Sequence, residues 1–350
     1  MTIASTPGKV LVTGANGFIA VWLVQRLLQK GYIVRGTVRS EKKAVHLREL
    51  FKSYGEKLEL VVVEDITKEG AFDEAVKGMD LVEHTSSPFH HRVSHPDELI
   101  GPAVKGTVGI LESIKKHAPS VKRVVITSSM AAVLDSFGKN NSPITRYDES
   151  SWNNSVIEYV EKKGTDSEPP YWYFASKTLA EKAAWDFVEK NKSEIKFDIV
   201  VLNPPYVWGP TLAEINSSAD LNESLSMLHT FLIKTDSTPD FPTDPSGWVD
   251  VRDVAEAHVL AAETPAAGGN RFIISGGSYH WQEILDTANA VKPQLIHNLV
   301  KGNPGTGKDI SASLVFDTAK AERVLGIKFH TLDQTIADIL ADWKQKGFAA

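Results

Sequence analysis

Lys9-Val10-Leu11-Val12-Thr13-Gly14-Ala15-Asn16-Gly17-Phe18-Ile19-Ala20 sets a short apolar run against a glycine turn, and an amphipathic stretch continues to Lys30. The run reads as a buried strand and the amphipathic stretch as a helix. A phosphate-binding turn needs that order, because the strand delivers the chain to a helix N-terminus where free N–H groups and the dipole meet a pyrophosphate. Gly14 can take a positive φ, and the missing side chain of Gly17 lets the backbone approach the phosphates. Ala20 stands where a third glycine is often found and is still small enough for close helix packing. A tight turn needs glycines as well, so the rest of the chain has to decide between the two readings.

The second strand reads Ile33-Val34-Arg35-Gly36-Thr37-Val38-Arg39, and its end bears on the cofactor. An acidic residue roughly 20 positions past the glycines bonds a ribose 2′-hydroxyl, whereas an arginine accommodates a 2′-phosphate. The residue here is Arg39, with Lys42 and Lys43 at the start of the next helical stretch. A cation there adds a second contact to the same phosphate, so NADP(H) is expected over NAD(H); the competing account is a solvated basic face. A third strand, Leu58–Val63, leads to Asp65, where an adenine contact could form, and a fourth covers Asp80–Thr85. A helical stretch from Asp97 to His117 precedes a fifth strand at Val121–Ile126, and a sixth follows at Phe197–Leu202. Helical stretches of crossover length between the strands predict a parallel sheet, hence an α/β fold of doubly wound architecture.

The chemistry centres on Tyr171-Trp172-Tyr173-Phe174-Ala175-Ser176-Lys177, which runs into the helix-forming Thr178-Leu179-Ala180-Glu181-Lys182. Residues four apart on a helix share a face, so the phenol of Tyr173 and the ammonium of Lys177 project together. A cation beside a phenol favours the phenolate, which a tyrosine exchanging protons near neutral pH requires, since its ordinary pKa is about 10. Tyr173 is thus a general-acid candidate, against the alternative of an ordinary exposed turn. The fifth strand ends in Thr127-Ser128-Ser129-Met130, and in open α/β sheets ligands sit outside the carboxyl ends of the strands. Ser129 is therefore a candidate donor to a carbonyl oxygen, although serines at a strand end also serve as caps. Asn203-Pro204-Pro205-Tyr206-Val207-Trp208-Gly209-Pro210 follows the sixth strand and reads as a rigid apolar wall suited to one face of a nicotinamide ring, or as a simple turn.

Composition closes off other classes. With 350 residues, a hydrophobic fraction of 42% and a charged fraction of 23%, the chain is long and apolar enough for a large globular core. A net charge of −6 offers no electrostatic footprint for nucleic acid or an anionic membrane. The absence of cysteine excludes disulfides, a thiol nucleophile and a cysteine-based zinc site. Met1–Lys9 carries no apolar signal core and no later stretch approaches a membrane span, so a cytoplasmic protein is expected. His90, His91 and His95 invite a metal, but Pro96 argues against the helix a zinc motif would use and no carboxylate stands at a ligand spacing. Gly302-Asn303-Pro304-Gly305-Thr306-Gly307-Lys308 imitates a P-loop, yet Asp309 replaces the magnesium-binding hydroxyl, Pro304 removes an N–H and no buried strand feeds it.

Residues 135 to 170 read as an excursion over the cleft. From Thr211 the pattern shifts to shorter elements: a helix from Ala219 to Lys234, a strand and helix within 247–258, a strand from Arg271 to Ile274 and closing helices. Two regions are expected, 1–202 carrying the dinucleotide site and the catalytic residues, and 203–350 mainly binding substrate and interleaved with the first. Phe89, Tyr206, Trp208, Met227, Phe231 and Trp248 are expected to line the substrate pocket, although loop aromatics are as often core plugs.

With Gly14-x-x-Gly17-x-x-Ala20, Arg39, Ser129, Tyr173-x-x-x-Lys177 and Asn203-Pro204-Pro205 in this order, the chain resembles the extended short-chain dehydrogenase/reductase family over nearly its whole length. Arg35-Gly36-Thr37-Val38-Arg39-Ser40, Thr127-Ser128-Ser129 and the Val249–Ala255 stretch make it look closest to fungal and yeast carbonyl (aldehyde/ketone) reductases beside dihydroflavonol and cinnamoyl-CoA reductases. The resemblance implies a Rossmann-type doubly wound parallel sheet with a smaller C-terminal substrate-binding region. It implies Ser129, Tyr173 and Lys177 as a catalytic triad, Arg39 and Lys43 on the 2′-phosphate, Asp65 near adenine, and hydride delivery from NADPH to a small carbonyl substrate. The expected cofactor contacts come from Gly14, Asn16, Gly17, Phe18 and Ile19 in the turn, from Ile66 beside Asp65, from Tyr173 and Lys177, and from Pro204 and Val207. Nucleotide-sugar epimerisation or dehydration on the same architecture is the alternative chemistry; it holds NAD through its cycle, against which Arg39 speaks. A dinucleotide-sensing module would need no such triad.

Overall fold

The computed structural model describes residues 8–87, 93–137, 144–233 and 241–348. The apolar runs form the strands β1 (Lys9–Thr13), β2 (Ile33–Val38), β3 (Leu58–Val62), β4 (Leu81–His84) and β5 (Arg123–Thr127). After them come β6 (Thr145–Tyr147), β7 (Asp198–Asn203), β8 (Tyr206–Trp208), β9 (Ser246–Asp250), β10 (Asn270–Ile273), β11 (Gly277–Tyr279) and β12 (Leu314–Phe316). The helices are α1 (Phe18–Gln29), α2 (Glu41–Leu50), α3 (Asp97–His117), α4 (Asn154–Lys163), α5 (Pro169–Asn191) and α6 (Glu223–Leu232). They continue with α7 (Val251–Glu263), α8 (Trp281–Ala290), α9 (Lys308–Ser311), α10 (Ala319–Leu325) and α11 (Leu332–Lys346).

Seven strands make one parallel sheet in the order β10-β7-β5-β4-β1-β2-β3. The chain winds from β1 outward through β2 and β3, then returns to β4 on the other side of β1, so the winding reverses between β1 and β4. Ligands of open α/β sheets bind at that switch point, outside the carboxyl ends of the strands. Both faces are covered. One core packs α1, α2 and α7 against the sheet and the other packs α3 and α5, which is why the middles of β1, β5 and β7 read as continuous apolar runs.

Three local outcomes differ from the sequence reading. The crossover between β3 and β4 is a run of turns rather than a helix; Gly70 and Gly78 take φ of 71° and 73°, while Phe72, Val76 and Met79 still plug the core. The 135–170 excursion contains α4 and also β6, which pairs in parallel with β12 far along the chain. The strand β10, from the C-terminal half, completes the main sheet beside β7. Other C-terminal elements build a second core, in which α6, α8 and α11 pack around β8, β9 and β11. The P-loop look-alike leads only into the four-residue α9, with no strand before it.

Candidate active site

The glycine turn lies at the switch point. Gly14 has φ of +65°, and a Cβ there would sit 3.1 Å from the Cβ of Ser86, on the turn that follows β4. Gly17 is the N-cap of α1 and contributes no capping side chain, so the first N–H groups of the helix, which have no intrahelical partner, face outward. Beneath the turn, a Cβ on Gly36 of β2 would come within 2.7 Å of the Ala15 Cβ. Backbone conformation at Gly14 and close packing at Gly36 call for glycine where the turn closes down on the sheet, and the cradle left above it suits a pyrophosphate.

A cleft of about 240 Å³ opens from this turn across the strand ends. Gly14, Gly17, Phe18 and Ile19 form one side, Thr85, Thr127, Ser128 and Ser129 the floor, and Tyr173 and Lys177 of α5 the opposite wall. Pro204, Pro205 and Val207 supply its apolar side, and Asn222 and Ser224 close it from the start of α6. Sequence positions 14 to 224 thus converge on one volume.

Backbone order holds the three candidate catalytic groups. Pro169 and Pro170 open α5, where their missing N–H groups cost nothing, and the helix then presents Tyr173 and Lys177 one turn apart, with the ammonium 5.9 Å from the ring centroid. Ser129 caps the turn Met130–Ala132 by accepting the Ala131 N–H at 3.1 Å, which leaves its own hydroxyl proton for donation; its side chain hydrogen-bonds the Tyr173 phenol. The Ser129 backbone is pinned in turn, its carbonyl accepting from Asn203 Nδ2 at 3.1 Å, while the Met130 N–H donates to the Pro204 carbonyl at 2.9 Å.

Burial dominates the electrostatics. It brings the Lys177 ammonium down to about 8 even though Glu181 pulls the other way. It also raises the Tyr173 phenol, with the Ser129 hydrogen bond opposing and Glu223 adding to the rise. The expectation that Lys177 draws the phenol below its ordinary value is therefore corrected: burial raises it, outweighing the Ser129 hydrogen bond that favours the phenolate. A raised phenol suits a proton donor, because it stays protonated until a much stronger base forms beside it.

The other expected residues fall in three places. Arg39 and Lys43 are exposed just past the end of β2, and Asp65 is exposed past the adjacent β3, where its carboxylate accepts the Thr67 N–H at 2.9 Å. The Val63 N–H bonds to the Val38 carbonyl, so these residues share one corner of the sheet edge. Asn16 sits within the glycine turn, and Ile66 packs against Gly106 of α3. Tyr206 is 37% exposed at the strand edge beside the cleft, and Met227 and Phe231 flank the second core. Trp208 and Trp248 lie inside that core instead, stacked at 6.3 Å with Tyr279 and Trp281 around them. Phe89 lies outside the described residues, as do His90 and His91; no group of three metal-binding side chains occurs among the described residues.

Sequence reasoning missed Asn222, Ser224 and Glu181. Asn222 precedes a helix and reads as a cap, yet its side chain makes no cap bond and its Oδ1 is buried without a partner at the cleft. Glu181 carried a usable signal, four residues beyond Lys177 and so on the same helical face.

A model of the NAD dependent epimerase/dehydratase family matches residues 10–275. The chain is 40% identical over 339 residues to the NADPH-dependent methylglyoxal reductase of Saccharomyces cerevisiae, covering 94% of this chain and 96% of that one. It is 38% identical over 352 residues to the ketoreductase azaE of Aspergillus niger, covering 99% and 100%. The crystal structure of yeast methylglyoxal/isovaleraldehyde reductase complexed with NADPH superposes with a TM-score of 0.86 at 38% identity, over 97% of this chain and 99% of that one.

Proposed function

The chain belongs to the NAD dependent epimerase/dehydratase family, the extended short-chain dehydrogenases/reductases, and within it we propose an NADPH-dependent reductase that converts aldehydes and ketones, ketoesters included, to alcohols. The observation that carries this reading is the convergence of Ser129, Tyr173 and Lys177 on the cleft of the glycine turn. Bound NADPH supplies a hydride to the carbonyl carbon. Ser129 Oγ donates to the carbonyl oxygen and holds it against the phenol. Tyr173 passes its proton to that oxygen as negative charge develops there, and the Lys177 ammonium stabilises the phenolate left behind. Pro204, Pro205 and Val207 keep water from the apolar side of the cleft. Arg39 and Lys43, with no ion pair of their own among the described residues, receive the 2′-phosphate, and Asp65 lies toward the adenine. Gly14 and Gly17 receive the pyrophosphate. The division into residues 1–202 for cofactor and catalysis and 203–350 mainly for substrate, and a cytosolic location, belong to the same proposal; fractionation tests the latter.

The test is NADPH oxidation by the purified protein against methylglyoxal, other aldehydes, aromatic ketones and β-ketoesters, with NADH in parallel. Turnover of several carbonyls with NADPH preferred is the expected result. Silence across the panel, together with release of tightly held NAD on denaturation, would replace the reading with epimerase or dehydratase chemistry.

A further inference from the structure

Glu181 is 2% exposed, and its carboxylate is the meeting point of four elements. Oε2 accepts from Ser128 Oγ at 2.6 Å and from Asn203 Nδ2 at 2.8 Å; Oε1 accepts from Arg271 Nε at 2.5 Å and Trp185 Nε1 at 3.3 Å. Asn203 Nδ2 also donates to the Ser129 carbonyl, so one amide ties the carboxylate to the turn that bears the hydroxyl. Arg271 is fixed from behind, donating to the carbonyls of Glu149 and Ser151 at 3.0 and 2.8 Å with its guanidinium 3.6 Å from the Trp152 ring centroid. On its other side Glu181 shares a small cavity of about 20 Å³ with Lys177, one helical turn away.

We propose that Glu181 is a positioning residue for the reduction: clamped by Arg271, its carboxylate holds the Ser128-Ser129 turn and the Lys177 ammonium in one rigid frame. The proposal rests on the reading of Ser129, Tyr173 and Lys177 given above. A buried carboxylate that only balanced Arg271 would have no reason to touch the strand ends of both β5 and β7. Here Oε2 is spent on the turn after β5 and on the end of β7, which aim the reacting groups, while Oε1 takes the Arg271 clamp and Trp185 of its own helix. Charge follows the same plan. Lys177 is faced by Tyr173 and Glu181 from its own helix, by His84 from β4, by the uncharged Thr127 of β5, Ser128 just after it and Thr107 from α3, and by Arg271 of β10 through Glu181. Glu223 of α6 acts on Tyr173. Glu181 is the one carboxylate among these that supports the ammonium against burial. Without it, Lys177 releases its proton at lower pH.

Glu181→Gln keeps the shape and removes the charge. The expected result is a fall in kcat of about tenfold or more, NADPH affinity within about threefold of the parent, and an alkaline limb of the kcat profile displaced downward by about one pH unit. A folded Glu181→Gln protein with kcat within twofold and an unmoved limb would overturn the proposal, as would a lower melting temperature with the limb in place. Since this variant leaves Arg271 uncompensated and can fail to fold, Ser128→Ala and Asn203→Ala provide a second arm. Both keep the charge; Ser128→Ala cuts only its bond to Glu181, whereas Asn203→Ala cuts its bond to Glu181 together with the one to the Ser129 carbonyl, so kcat should fall several-fold in each with the limb unmoved. Full activity in both would overturn the positioning role. Tyr173→Phe run alongside separates the levels: if it stays active, the underlying assignment of the triad fails, whatever Glu181 does.

Discussion

At Tyr173 and Lys177 one physical effect, burial, acts with opposite consequences. It raises the phenol, which therefore stays protonated across the working range, and brings the ammonium to about 8, which makes Lys177 the first group of the site to titrate as pH rises. A phenol that stays protonated is ready to give its proton to a developing alkoxide, which is what reduction asks of it. Tyr173→Phe deletes that proton and leaves the ring; kcat should fall by on the order of 10²-fold to 10⁴-fold while NADPH binding, followed by fluorescence titration, is retained. Near-normal turnover would remove Tyr173 from the mechanism. Arg39 poses a different question, because it is exposed and the role proposed for it is one charge-assisted contact with the 2′-phosphate. Arg39→Asp replaces that contact with a repulsion, and KM for NADPH should rise on the order of 10-fold to 100-fold while KM for NADH moves little. An unchanged NADPH-to-NADH ratio in paired steady-state assays would leave the two-cation corner without a role in cofactor choice.

The elements that were legible in the sequence are those whose reasons are local. β1, the turn at Gly14 and α1 could be read because an apolar run, two glycines and a helical period must follow one another there, and Tyr173 with Lys177 because a helix face is a local property. What escaped reading depends on distant partners. β6 exists only because Leu314–Phe316 lies beside it, and nothing near Thr145 announces that pairing. Trp208 resembled a pocket wall because strand-end aromatics often are; the partners that bury it, Trp248, Tyr279 and Trp281, come from three later elements. Gly36 belongs to both groups. It is plainly present in β2, but only the packed structure shows why a side chain is excluded, since Ala15 of the turn sits directly above it and Leu60 of β3 lies 2.9 Å from where a Cβ would be. Gly36→Ala should lift the turn, cost about 1–3 kcal/mol through overpacking, and weaken NADPH binding about tenfold or more. Thermal unfolding and cofactor titration read the two effects, and a stable variant with parental affinity would mean that the turn yields freely.

Across the whole molecule, the sheet carries buried ionisable groups that link its stability to pH. His84 in β4 is 2% exposed, and burial, with the Lys177 charge adding, takes its imidazole down to about 3. Its surroundings agree. Thr13 Oγ1 accepts the N–H groups of Thr85 and Ser86 at 3.1 and 3.0 Å, which leaves the Thr13 hydroxyl proton for His84 Nδ1 at 3.1 Å, a bond that protonation would break. The folded chain therefore keeps His84 neutral to about pH 3, whereas the unfolded chain protonates it below about 6.5. Because the unfolded chain binds the extra proton, stability falls as pH drops through that window, by about 1.4 kcal/mol per unit. His258 is held down to about 3 in the same way, but its partner Glu83, 2.7 Å from Nδ1, is pushed upward by burial and binds a proton in the folded state, so acid stabilises one member of the pair while destabilising the other. His84 has no such counterweight. His84→Asn, with no titrating ring, should lose about 1.4 kcal/mol less than the parent between pH 7.5 and pH 5.5, whatever its stability at pH 7.5. Urea unfolding of both proteins at the two pH values measures the difference, and parallel losses would mean that the β4 histidine does not supply the acid sensitivity of the sheet.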